Sequence, residues 1–178
     1  IGWPLPLIAI QILWVNLLTD GLPGLALGLD PFSKDIMNRP PRKRDEEIMS
    51  KDVIYNIAIV GVVMAAGTLF MFYGYGVETA KAKSIAFTTL VMFQLFNVLT
   101  YRAKNFKIDF KTSKYLMASV VISLAMQLAV LYTPLNVAFK TVPLGSVDLI
   151  KVLLVSGSLY LILESRKIYM NYLEAKRI

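Results

Sequence analysis

Apolar residues along the chain fall into five long blocks separated by short polar stretches. The first runs from about Leu7 to Leu29 and the second from Val53 to about Gly74. The third covers about Ser84 to Tyr101, the fourth about Tyr115 to Tyr132, and the fifth about Val147 to Leu163. A helix needs about 20 mainly apolar residues to cross the hydrocarbon of a bilayer. Within lipid, a lone segment satisfies all of its backbone polar groups only as a helix. The pattern therefore predicts an all-α membrane protein, a bundle of five transmembrane helices. Residues 1–29 are expected to form the first and 30–52 a polar loop. Residues 53–178 hold four further spans (about 53–74, 84–101, 115–132 and 147–163) and a charged tail from Glu164 onward.

Composition points the same way. Of 178 residues, 56% are hydrophobic and 17% charged, where soluble domains average about 45–50% and about 25%. A greasy soluble helical protein is the bland alternative. With neither Cys nor His in the chain, disulfide scaffolds, zinc centres and Cys or His nucleophiles are excluded. Any metal site must use oxygen donors, which suits Ca²⁺, Mg²⁺ or Mn²⁺.

The net charge of +7 is not spread evenly. With five spans the connecting segments alternate sides. Fifteen of the 19 Lys and Arg residues lie in 30–52, 102–114 and the tail; Lys81, Lys83, Lys140 and Lys151 lie on the opposite side. Cytoplasmic loops are the Lys/Arg-rich ones. The C-terminus and the 30–52 loop are expected to be cytoplasmic, and no nucleic-acid partner is needed to explain the charge. The opening Ile1-Gly2-Trp3-Pro4 has neither an initiator Met nor a signal-peptide layout, so the chain is expected to be a piece of a larger protein. No internal repeat is evident, which counts against a secondary transporter built from inverted repeats.

The first span carries the chemistry. Asn16, Thr19 and Asp20 stand at i, i+3 and i+4, one face of an α-helix, and offer an amide oxygen, a hydroxyl and a carboxylate. An Asp within an apolar span costs a few kcal/mol and demands a partner. Gly21, Pro23 and Gly24 follow, so the helix is expected to be interrupted at Gly21–Pro23. Carbonyls freed there must be satisfied by a cation or by neighbouring helices. Two readings stand for Asn16 or Thr19 alone, an ion ligand or a hydrogen bond between helices. The three together beside a break favour an ion site. In the second span, Ala58, Gly61 and Ala65 share a small-residue face with Gly67 as an extension, a pattern for close helix packing. The Pro40–Arg44 stretch is basic enough for anionic lipid. Glu164 and Lys167, three apart, read as a surface pair.

The run Gln11-Ile12-Leu13-Trp14-Val15-Asn16-Leu17-Leu18-Thr19-Asp20-Gly21-Leu22-Pro23-Gly24-Leu25-Ala26-Leu27-Gly28 resembles the sixth transmembrane helix of the P-type Ca²⁺-transporting ATPases. The likeness continues through Asp35-Ile36-Met37-Asn38-Arg39-Pro40-Pro41-Arg42, and more loosely through Tyr132, Pro134, Leu135, Phe139, Pro143 and Leu144. Na⁺/K⁺ pumps resemble it less, having an acidic residue where Asn16 stands. Five spans then correspond to helices six to ten of such a pump. The resemblance implies that Asn16 and Asp20 ligate a Ca²⁺ common to the family, and that Thr19 matches a ligand of a second Ca²⁺ in two-ion pumps. That second ion also needs a Glu where this chain has Gln94, which implies one Ca²⁺ per cycle. Gln94 and Asn97 have a second reading as hydrogen bonds between helices, and for Asn97 that reading is preferred.

The resemblance further implies catalysis of ATP hydrolysis with Mg²⁺ in cytoplasmic domains, through an aspartyl-phosphate whose Asp-Lys-Thr-Gly-Thr motif is not in this chain. Expected partners are Ca²⁺, the lipid bilayer, and the pump's N-terminal remainder with helices one to five. That remainder would receive the Pro40–Arg44 stretch and the Gly61 face, and protons would return on the vacated carboxylate. A Ca²⁺/Mn²⁺ pump is the nearest alternative. A secondary cation transporter or a non-catalytic membrane interaction domain fits less well.

Overall fold

The computed structural model describes residues 5–29, 51–101, 103–104, 107–108 and 114–176. Residues 1–4 and most of the 30–52 loop, with Pro40–Arg44, lie outside the described residues.

Five helical stretches are long and apolar enough to cross a membrane: Ala9–Gly28, Val53–Gly74, Ala80–Thr100, Lys114–Tyr132 and Ser146–Met170. The first is composite. Helix α1 (Ala9–Val15) passes into a π-helical segment, Asn16–Gly21, and then into α2 (Leu22–Gly28). Helix α3 (Lys51–Gly74) turns at Gly76, whose φ of +79° is the left-handed conformation that glycine adopts freely. Helix α4 (Ala80–Thr100) is capped by Thr79, whose hydroxyl accepts the Ala82 amide at 3.0 Å. A hairpin of two-residue strands, β1 (Ala103–Lys104) and β2 (Lys107–Ile108), stands in the basic link to α5 (Lys114–Tyr132). A short α6 (Leu135–Phe139) precedes α7 (Ser146–Ala175).

Helix α4 is the hub. Its buried face from Ala82 to Thr100 packs on α3, α7, α5 and the first span, whereas α3 lies at the edge with most of its surface exposed. The largest core cluster joins Val15, Met71, Ile85, Phe87, Val91, Leu131, Phe139 and Val152, so every span contributes to it. A second cluster, Ala26, Val98 and Leu116, closes the opposite end of the first span against α4 and α5.

Apart from Asp20, the charged side chains among the described residues gather toward the two ends. At one, Asp148 accepts hydrogen bonds from Lys81 (2.8 Å), the Tyr75 hydroxyl (2.9 Å) and the Gly145 amide (3.2 Å). The Lys81 and Lys151 ammonium groups stand 5.2 and 5.3 Å from the Tyr75 ring centroid. At the other end lies a departure from expectation. Glu164 is wholly buried rather than on the surface, with Lys167 at 3.2 Å. Lys167 also donates to the Thr100 carbonyl at the end of α4, and Arg166 stacks over the Tyr55 ring at 4.6 Å. The reason is that α7 does not stop near Leu163. It runs on to Ala175 and keeps these residues against α3 and α4.

Within the described helices the close approach is at Gly67, while the Gly61 face, expected to receive a helix outside this chain, is open. Ala58, Gly61 and Ala65 are exposed, and a Cβ at Gly61 would meet nothing within 4 Å. A Cβ at Gly67 would lie 2.4 Å from Phe93 Cζ and 2.7 Å from Cε2, and Phe93 is fully buried. Gly67→Ala is therefore expected to destabilise the purified protein by about 1–3 kcal/mol, the usual scale of overpacking. Gly61→Ala should leave the midpoint unchanged, both read by thermal unfolding in detergent.

Candidate metal centre

The π-helical segment is where the local sequence and the site meet. Pro23 has no amide hydrogen, and in a regular α-helix its ring would press on the Thr19 carbonyl one turn back. Widening the turn to i→i+5 geometry moves that carbonyl away. Pro23 then stands in the first turn of α2, directly after the widened segment, and the Leu18 carbonyl that its missing N–H leaves in i→i+5 pairing needs another donor. The interruption is thus a bulge over Asn16–Gly21, immediately upstream of Pro23, and the chain stays helical through it.

A wider turn changes which residues share a face. Positions three apart separate, while positions four or five apart stay together. Thr19 is buried, whereas Asn16 and Asp20 are exposed on the outer side of the first span. The Thr19 hydroxyl has one proton and two acceptors beside it, the Val15 carbonyl oxygen at 2.6 Å and Gln94 Oε1 of α4. So the four candidate residues form two pairs. Thr19 and Gln94 meet inside the bundle; Asn16 and Asp20 face away from it. Among the described residues, the side chains of Asn16 and Asp20 make no hydrogen bond or ion pair, and no three acidic side chains cluster. Ca²⁺ takes about six to eight oxygens, more than Asn16 and Asp20 supply.

Several contacts that hold the first span escaped the sequence reading. Ser123 of α5 donates to the Leu18 carbonyl within the π segment at 2.9 Å. Gln127, one turn further along α5, accepts from Trp14 Nε1 and donates to Thr88 Oγ1 of α4, both at 3.3 Å. Gln11 donates to the Phe139 carbonyl at 2.9 Å, and the Trp14 ring meets the Phe139 ring edge-on at 4.9 Å between centroids. A visible signal existed: Ser119, Ser123 and Gln127 recur every four residues in an otherwise apolar span.

The arrangement is that of an all-α, multi-pass membrane domain whose first span presents hard oxygen donors at a helical irregularity. The chain belongs to the cation transporting ATPases, matching the family's C-terminal region over residues 4–169. It is 36% identical over 182 residues to the mouse protein named "Calcium-transporting ATPase type 2C member 2", covering 98% of this chain and 19% of that protein. The "Calcium-transporting ATPase 1" of Saccharomyces cerevisiae is 36% identical over 174 residues, covering 93% of this chain and 18% of its own length. The bovine "Calcium-transporting ATPase type 2C member 1" is 34% identical over 170 residues, 92% and 18% respectively. The chain thus spans about a fifth of these relatives.

The two pairs should separate in stability measurements. Thr19→Val removes a buried hydroxyl and is expected to cost about 1 kcal/mol. Asp20→Asn, at an exposed position, should stay within about 0.5 kcal/mol, both by denaturation in mixed micelles.

Proposed function

We propose that the chain is the C-terminal membrane part of an ATP-driven Ca²⁺ pump and contributes Asn16 and Asp20 to its transmembrane Ca²⁺ site. One observation carries this reading. A carboxylate and an amide stand on the outward side of a π-distorted span, and the described fold makes no use of either. Such groups are costly in lipid and face partners or ions. In the full-length protein, helices outside this chain would cover that face and supply the remaining oxygens. About four fifths of the relatives' length lies outside the matched region, and all three are named as calcium-transporting ATPases.

Thr19 and Gln94 complete the proposal. Thr19 is held against an uncharged amide, so this pair adds no negative charge for a second divalent ion. Carriage of about one Ca²⁺ per cycle follows, because affinity for Ca²⁺ rises with the count of charged ligands. Mn²⁺, another oxygen-seeking divalent ion, is the alternative cargo. ATP and Mg²⁺ would act in domains beyond this chain. The Lys/Arg asymmetry puts the C-terminus and the 30–52 loop on the cytoplasmic side, with residues 53–178 as four spans and a tail.

The test is ATP-driven ⁴⁵Ca²⁺ uptake into vesicles by the full-length pump. Uptake is expected at about one Ca²⁺ per ATP, competed by Mn²⁺ and reduced to background by Asp20→Asn. Uptake indifferent to Asp20→Asn would overturn the site assignment.

A further inference from the structure

Helix α5 supplies none of the proposed ligands, yet two of its polar side chains, Ser123 and Gln127, are completely buried within the membrane span. They stand one turn apart on one face, and each reaches the first span. Ser123 Oγ donates to the Leu18 carbonyl, inside the π segment and between Asn16 and Asp20 in the chain. Gln127 uses both ends of its amide. Its oxygen accepts from Trp14 Nε1, two residues before Asn16, and its nitrogen donates to Thr88 Oγ1, which in turn donates to the Ser84 carbonyl at 2.8 Å. Thr88 lies on α4, the helix that bears Gln94.

Buried polar groups in a span must be satisfied, and a half-satisfied amide is worse than none. An apolar residue at either position would pack without that demand. The polar pair instead ties together the two helices that carry the candidate ligands, above and within the bulge. Residues that orient metal ligands from outside the coordination shell commonly change affinity by about 10- to 100-fold when lost. We propose that Ser123 and Gln127 are positioning residues for the ion site. Ser123 fixes the π segment, and Gln127 sets α1 against α4 through Trp14 and Thr88. The proposal rests on the Ca²⁺-pump reading above.

The full-length pump carrying Ser123→Ala, Gln127→Met, Trp14→Phe or Asp20→Asn decides the matter. The readouts are Ca²⁺-dependent ATPase activity against free Ca²⁺ and thermal unfolding in a Ca²⁺ chelator. Trp14→Phe keeps a ring against Phe139 while deleting the N–H that Gln127 accepts, together with part of the indole's bulk. Ser123→Ala, Gln127→Met and Trp14→Phe are each expected to raise the half-saturating Ca²⁺ concentration about tenfold. Maximal turnover should stay within about twofold, and the unfolding midpoint without Ca²⁺ should fall by only a few degrees, the scale of one lost buried hydrogen bond. Gln127→Met combined with Trp14→Phe should be little worse than Gln127→Met alone, because Gln127→Met already removes the bond from Trp14 along with the one to Thr88.

An unchanged Ca²⁺ affinity in Ser123→Ala and Trp14→Phe overturns the proposal, whether or not Gln127→Met folds. Loss of turnover and midpoint together with unaltered affinity also overturns it, since that marks residues of general packing. Full activity in Asp20→Asn would instead bring down the ion-site reading itself.

Discussion

Within hydrocarbon no solvent takes up an unpaired carbonyl, and Pro23 creates that problem in the middle of the first span. Its missing amide and its ring cannot coexist with a regular turn there, so the helix widens over Asn16–Gly21. Much else follows from this one constraint. The widened turn brings the Leu18 carbonyl to Ser123 and buries Thr19 beside Gln94. It also leaves Asn16 and Asp20 together on the outside. A proline that would merely kink a soluble helix here sorts polar groups into those that serve the bundle and those left for a ligand.

The core answers the same demand with side chains. Gln11, Gln127, Ser84 and Thr88 are buried, and each has partners on another span or loop. Among lipid-exposed helices apolar contact alone discriminates poorly, because lipid tails are as apolar as leucine. Hydrogen bonds such as Trp14 to Gln127 and Ser84 to the Val142 amide therefore define which helix faces which, at modest energy apiece.

The spans themselves were legible because a twenty-residue apolar run has few alternatives. Their ends were not. Glu164, Arg166 and Lys167 look like a solvated tail by composition, yet they find Thr100, Tyr55 and each other because α7 continues. The start of α4 at Ala80 was hidden by Lys81 and Lys83, which read as a linker although Lys81 pairs with Asp148. In the candidate site, residue types and the presence of an irregularity could be read directly. Their distribution could not, since a three-and-four spacing defines one face only if the turn has α geometry. The close contact between α3 and α4 likewise depends on Phe93, which no spacing rule links to Gly67.

The length of α7 has a consequence for how the domain meets the water. Its 30 residues make a rod of roughly 45 Å at about 1.5 Å per residue, against roughly 30 Å of hydrocarbon. Helix α4, with 21 residues, matches the slab. Lys167 grips the final turn of α4, which pins the depth at which the longer rod sits. The surplus cannot then be absorbed by sliding. The last five residues of α7 run past the apolar stretch that ends at Met170, a stiff extension of roughly 7 Å, with Tyr172 exposed on its flank. Any movement of α4 within the membrane is therefore carried to the surface by a rigid element.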